Sequence, residues 1–304
     1  MDATDVRRVL LAGLIDHAAL FPPASMGMDR ALEEDAAARD SPHAWTIGRF
    51  VCPASRLGEL HAALAAGWAD SPELSVVLDG AGGADADAWA AAVRSDAAAV
   101  ADAAAGGARV GSVEVRLPGP RPESPALVAA YSALRELGVE AFLELVPGPR
   151  WRDTLLAAVG AAAAVGAGAK LRCGGAGEAD FPPVELVALA LLSCSHAGVR
   201  LKATAGLHHP VRRREAATGF HQHGFLNLLA AAGAAADGAA APELERILAE
   251  EDAGAFRLGA AGLALAGLEL RAEGAARARA LFTSYGSCSW REPLDDLERL
   301  GALS

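Results

Sequence analysis

The chain has 304 residues, 52% of them hydrophobic, and a formal net charge of −11. Such a length buries a sizeable core, and one domain spanning 1–304 is the simplest count. The acidic balance argues against nucleic-acid and anionic-membrane partners, because phosphate surfaces bind basic ones, while leaving room for a basic pocket inside an acidic shell.

The segment Met1 to Arg8 places acids and arginines ahead of a short apolar run, without the apolar core and cleavage site of a secretion signal. The longest apolar stretches, such as Thr154 to Ala169, are alanine and glycine, too weakly hydrophobic for a membrane span. Cys52, Cys173, Cys194 and Cys288 show no paired zinc-site spacing, so a reduced cytoplasm is the expected compartment. No cofactor is implied, and a homo-oligomer is left open. Alanine-rich runs such as Ala81 to Ala105 raise helix propensity and carry almost no functional information.

In chain order, eight short apolar runs read as strands: Leu11 to Asp16, Ile47 to Cys52, Leu74 to Asp79, Ser112 to Leu117, Val139 to Val146, Ala169 to Gly174, Val199 to Ala205, and a weaker one near Phe282 to Ser289. Helix-like segments lie between them, among them Leu57 to Ala66, Ala88 to Ala103, Pro125 to Leu137, Trp151 to Val165 and Val184 to Ala197. Alternating βα units of this number predict a closed (β/α)8 TIM barrel of parallel strands. The connection from strand seven to strand eight, 207–281, is far longer than one helix and is expected to form a helical insertion or lid.

Strands buried on both faces should be nearly all apolar, so the charges within them are informative. Strand four carries Glu114 and Arg116, strand five Glu144, strand six Lys170 and Arg172, and strand seven Lys202 with Thr204. Members of each same-strand pair are two residues apart and share a face. A structural ion network is the plain alternative to a catalytic set, but it costs desolvation without a catalytic return. Lys170-Leu171-Arg172-Cys173-Gly174 and Lys202-Ala203-Thr204-Ala205-Gly206 each hold a lysine four residues before a glycine, which places the two lysines at matching depth on adjacent strands. At a strand spacing of roughly 5 Å the ammonium groups repel, which is expected to lower at least one pKa and supply the neutral amine a Schiff base requires.

These residues resemble the deoxyribose-phosphate aldolase family of class I Schiff-base aldolases. Leu14-Ile15-Asp16-His17-Ala18-Ala19-Leu20 with Pro22 looks like its Ile-Asp-His-Thr-x-Leu-x-Pro segment, and Val51-Cys52-Pro53 is similar to its Val-Cys-Val-x-Pro. Ser112-Val113-Glu114-Val115 falls where the family has Glu-Ile-Asp-Met, Leu143-Glu144 matches the end of its Ile-Glu-Thr strand, and Tyr285-Gly286-Ser287-Cys288-Ser289 looks like Phe-Gly-x-Ser-Ser. The likeness runs from Leu11 to Gly206 and resumes near Tyr285. It implies Lys170 as the Schiff-base nucleophile, Lys202 as the cation that tunes it, and Glu114 with Asp16 as a proton relay to the carbinolamine. For Glu114 the alternative is a simple counter-ion, and for Asp16 a strand-end anchor.

The chain departs from the family after the nucleophilic lysine, where Leu171, Arg172 and Cys173 replace small hydroxyl residues. Arg172 and Arg116 point to a substrate with a carboxylate or differently placed anion, since guanidinium forks bind planar oxyanions. Glu144 and Thr204 are expected beside the substrate. Gly174, Gly175, Gly206, Ser287 and Ser289 could offer amides and hydroxyls to a phosphate, unless the glycines only make turns.

His208, His209, His221 and His223 fall close in sequence after strand seven, although their spacing matches no common zinc pattern. His208 is the best candidate among them for a substrate contact or an acid or base. Three functions stay open at this point. They are a class I aldolase-like lyase acting on a small anionic carbonyl compound (an aldehyde, sugar phosphate or 2-keto acid), a metal-dependent isomerase or hydrolase using the histidines, and a non-catalytic anion-binding barrel.

Overall fold

The computed structural model describes residues 5–67, 71–80, 85–119, 125–145, 150–265 and 267–303. Val146 at the end of the expected fifth strand, the start of the alanine run at 81–84, and residues 1–4 of the amino-terminal segment lie outside the described residues. Eight parallel strands close into a barrel: strand one Ile15–His17, two Ile47–Pro53, three Glu73–Val77, four Arg109–Arg116, five Glu140–Glu144, six Gly168–Arg172, seven Leu201–Thr204 and eight Phe282–Ser287. Each strand pairs with its sequence neighbours, and strand eight closes on strand one with Ile15 opposite Tyr285. This is the (β/α)8 arrangement that the alternation of apolar runs predicts.

Helices Met28–Arg39, Leu57–Ala65, Ala86–Ala105, Pro125–Glu136, Trp151–Val165 and Val184–Ala197 follow strands one to six. Along the strands, outward residues such as Val113, Val115, Ala169 and Leu171 are buried in the apolar layer, leaving the inward positions to Glu114 and Lys170. The helices before strands six and seven both end on glycines in the left-handed conformation, Gly166 and Gly198 at φ 70° and 65°. Glycine adopts that conformation at no steric cost and turns the chain abruptly into the next strand.

Two expectations are corrected. The run beginning at Leu11 is not all strand: Val6–Leu11 is a helix, with the Asp5 side chain accepting from the Arg7 backbone N–H at its start, and strand one begins only at Ile15. A short apolar run has no period long enough to separate the two structures. The connection 207–281 is likewise not purely helical. It contains a ribbon of Arg213–Arg214 against His221–Gln222 and an antiparallel sheet of Arg257–Gly259, Gly262–Leu265 and Leu268–Leu270, alongside helices Phe225–Ala236, Ala241–Ala249 and Ala272–Leu281.

Helix Phe225–Ala236 is buried on every side through residue 235, because it packs between the barrel and the two helices that follow it. That enclosure explains why it lacks a polar face. Gly233 lets the Leu270 side chain lie against the helix, where a Cβ would fall within 2.5 Å of Leu270 Cδ1. Asn227 ties the start of the connection to its second helix. Its Oδ1 accepts from the Arg212 N–H at 2.9 Å, and its Nδ2 donates to the carbonyls of Ile247 and Glu250 at 2.8 and 2.9 Å. No helix among the described residues is long and apolar enough to cross a membrane.

Candidate active site

The register aligns the polar residues inside the barrel. Glu144, Lys170, Lys202 and Ser284 are direct neighbours across strands five, six, seven and eight, and Arg172, Thr204, Gly286 and Asp16 form a second row across strands six, seven, eight and one. Because barrel strands are tilted, each row runs obliquely rather than at one height. A cavity of about 520 Å³ opens at the carboxyl ends of the strands. Lys170, Lys202, Glu114 and Glu144 form its polar floor, and Phe21, Pro22, Pro23, Val51, Val77 and Phe181 supply apolar wall. The carboxyl-terminal face is where barrels of this kind place their chemistry.

Glu114 bridges the two lysines. Its Oε2 lies 2.7 Å from Lys170 Nζ and its Oε1 lies 2.5 Å from Lys202 Nζ. Each ammonium has a second carboxylate: Glu144 Oε2 at 2.8 Å from Lys170, and Asp16 Oδ2 at 2.6 Å from Lys202. All five groups are buried. Three carboxylates thus face two ammoniums, and Arg172, 3.4 Å from Glu144 Oε1, supplies a third cation at the solvent side.

This pairing reverses the expected effect of lysine–lysine repulsion. Burial on its own would lower both lysine pKa values, but for Lys170 the carboxylates of Glu114 and Glu144 outweigh it, and for Lys202 those of Asp16 and Glu114 do, so both are raised. Burial would raise Glu114 and Glu144. The neighbouring ammoniums of Lys170 and Lys202 hold Glu114 well below the usual carboxylate range, and Lys170 followed by Arg172 lowers Glu144. The resting site therefore holds Glu114 and Glu144 as carboxylates and both amines as cations.

Three serines complete it without having been anticipated. Ser75 donates to Glu114 Oε1 at 2.5 Å, accepts from Lys202 at 3.2 Å and shares a 2.7 Å hydrogen bond with Ser112. Ser284 donates to Asp16 Oδ2 at 2.8 Å, and the other oxygen of Asp16 accepts from the Arg49 backbone N–H at 2.7 Å. Asp16 is thus both a lysine partner and an anchor. It also lines a separate cavity of about 500 Å³ that opens at the amino-terminal end of the barrel, so the network reaches toward both faces.

The remaining expected residues divide. Arg172, Thr204, His208, Gly175 and Gly206 line the main cavity. Arg116 does not: it stands exposed at the end of strand four, where its carbonyl accepts from Trp89 Nε1. Ser287 donates to the Ser289 carbonyl, and the Ser289 hydroxyl accepts from the Glu292 N–H, so both hydroxyls serve the turn into the last helix, Arg291–Arg299. Gly174 also lies outside the lining and is needed for packing, because a Cβ there would fall 2.8 Å from Gly206 Cα. Ala205 and Gly206, at φ 60° and 69°, turn the chain sharply after strand seven and deliver His208 to the rim.

The four histidines of the connection do not converge. His208 Nδ1 pairs with Glu292, His209 Nδ1 with Asp296 and His221 Nε2 with Glu251, while buried His223 donates from Nε2 to the Pro182 carbonyl at 2.7 Å. Burial pushes the His223 pKa down to about 4. Among the described residues no three His, Cys, Asp or Glu side chains are arranged to hold a metal ion. The four histidines thus make four separate contacts.

No family model matches the chain, and no curated protein matches it.

Proposed function

We propose that this barrel is a class I aldolase-like lyase in which Lys170 forms a Schiff base with a small anionic carbonyl compound. The observation that carries the reading is the position of Lys170 Nζ on the floor of the cavity, with a carboxylate on either side at 2.7 and 2.8 Å. Formation and collapse of a carbinolamine each need a group that gives and takes a proton beside the nitrogen.

In this reading Lys170 passes a proton to Glu114 or Glu144 as the carbonyl carbon approaches. The freed nitrogen pair forms the C–N bond, the C=O π pair moves to oxygen, and the carboxylic acid returns its proton there. A second transfer, from nitrogen through the same carboxylate to the hydroxyl, expels water and leaves the iminium. Cleavage of the adjacent C–C bond sends its electrons into the iminium, giving an enamine, while the β-hydroxyl passes its proton to Glu114 or Glu144 as the new aldehyde forms. The carboxylic acid then protonates the enamine carbon, and water hydrolyses the resulting iminium to free Lys170 and the second product. Lys202, held by Asp16 and Glu114, stays cationic throughout. Arg172 at the solvent side receives the substrate anion, and the apolar walls limit water around the intermediate.

The free cysteines Cys52, Cys173, Cys194 and Cys288 suit a reducing cytoplasm. A second reading, a non-catalytic anion-binding barrel, draws on the complete pairing of both lysines. One experiment separates the two. Borohydride is added to the protein with a panel of aldehydes, sugar phosphates and 2-keto acids, and peptides are read by mass spectrometry. The lyase reading expects a reduced adduct on Lys170, and an unmodified Lys170 peptide at saturating carbonyl throughout the panel removes it.

A further inference from the structure

At the rim of the same cavity, and outside the lysine network, three residues from two parts of the chain line up. Cys288, just past strand eight, has its Sγ 3.8 Å from His208 Nε2, and the other nitrogen of that ring, Nδ1, lies 2.8 Å from Glu292 Oε2 on the carboxyl-terminal helix. Both Cys288 and His208 line the cavity. We propose that Cys288, His208 and Glu292 form a second nucleophilic centre that captures a small aldehyde reversibly as a thiohemiacetal.

The order of atoms is that of a nucleophile, a base and the group that orients the base, the arrangement by which cysteine chemistry is activated on unrelated folds. Glu292 fixes the imidazole so that Nε2 faces sulfur. Burial alone would lower the His208 pKa, yet Cys288 and Glu292 raise it to about 9, which makes the ring a strong proton holder at neutral pH. An imidazolium that donates to sulfur stabilises the thiolate, the reactive form.

The other cysteines are placed differently. Cys52, Cys173 and Cys194 are buried, and burial pushes their thiols up to about 12. Cys288 is half-buried with its face to the cavity. Gln222 lines the same space.

The step balances without a co-reactant. Sulfur attacks the carbonyl carbon, a C–S bond forms as the C=O π pair moves onto oxygen, and Nε2 of His208 gives its proton to that oxygen. Neutral histidine and a thiohemiacetal result, and the reverse sequence releases the aldehyde. The inference does not rest on Lys170 chemistry.

The test uses the intact native protein and iodoacetamide, with peptide mass spectrometry following each cysteine over time. Cys288 is expected to be alkylated before the other three, and roughly tenfold faster than after denaturation at the same pH. His208→Gln is expected to remove that advantage, and Glu292→Gln to remove part of it, while alkylation of the denatured variants is unchanged. Butyraldehyde, added as the probe, should slow Cys288 alkylation in the parent protein. Cys288 labelling no faster than in the denatured chain, or equally fast in His208→Gln, overturns the nucleophilic centre, and rapid labelling without protection by butyraldehyde overturns the aldehyde assignment. Borohydride trapping reads Lys170 separately, so either proposal can fail without the other.

Discussion

Glu114 holds Lys170 and Lys202 on opposite oxygens of one carboxylate, at 2.7 and 2.5 Å. A single charge therefore governs both amines, and its removal has two readouts. In Glu114→Gln both ammoniums lose a counter-charge. Breaking a buried pair in this way costs about 3–5 kcal/mol, measurable by denaturant unfolding. The same change lowers both lysine pKa values, so the pH dependence of Schiff-base trapping at Lys170 should move to lower pH even as the maximal rate falls for want of the relay. Glu144→Gln, which affects Lys170 without touching Lys202, should give the smaller destabilisation and a shift in the same direction. A pH profile unmoved in both variants contradicts the assignment of these carboxylates.

Arg172 separates recognition from chemistry. Its side chain is about half exposed and its contact with Glu144 is long at 3.4 Å, so Arg172→Leu should change stability by less than about 1 kcal/mol. Its guanidinium faces the cavity. If it receives the substrate anion, the variant should raise KM for 2-keto acids and sugar phosphates by roughly 10- to 100-fold, in line with the loss of one or two charge-assisted hydrogen bonds. Neutral aldehydes should be trapped as before. Equal losses on charged and neutral compounds would point instead to a disturbed Glu144.

Stability should fall in two stages on acidification. His223 has its folded pKa depressed to about 4, so its contribution is complete above the unfolded value of roughly 6.5 and is lost as pH falls through about 4. That interval corresponds to on the order of 3 kcal/mol at most. Glu114 and Glu144 are also depressed, so their contribution is present above roughly pH 4.3 and is lost below it. His208 runs the other way: raised to about 9, it stabilises fully below roughly pH 6.5 and is lost as pH rises through about 9. Unfolding free energies measured from pH 3 to 10 should thus peak near neutrality. His223→Gln should flatten the stage between pH 6.5 and 4 and leave the lower one in place.

The lysine pair was legible because two strands repeat one spacing to a glycine, and Lys170 does stand opposite Lys202 in the register. Their protonation was not. Glu114 is on strand four and reaches Lys202 on strand seven across the barrel interior, a contact created by closure rather than by neighbouring strands. Ser75, Ser112 and Ser284 left no signal beyond being polar in otherwise apolar strands. His208 and His209 are adjacent in sequence but bind Glu292 and Asp296 separately, partners that the sequence order does not reveal. Cys288 with Glu292 could not be joined to His208 from sequence, because 80 residues separate the cysteine from the imidazole.

The turn after strand seven provides a backbone test of the same site. Gly206 has φ of 69°, and a Cβ there would lie 2.6 Å from the Cys173 carbonyl oxygen, which is main chain and cannot swing away. Gly206→Ala therefore meets two obstacles, the left-handed conformation at about 1–2 kcal/mol and a clash that forces the strand-six and strand-seven turns apart. Gly219, in the connecting ribbon at φ 75°, has only the Arg214 guanidinium near its Cβ position, at 3.6 Å, so Gly219→Ala meets the first obstacle alone. The difference in unfolding free energy between the two variants isolates the clash. Because the displaced turn carries His208 two residues later, Gly206→Ala should also slow iodoacetamide labelling of Cys288, whereas Gly219→Ala should not. Equal stability and equal labelling in the two variants would mean that the close packing of Gly174 on Gly206 does not position the rim.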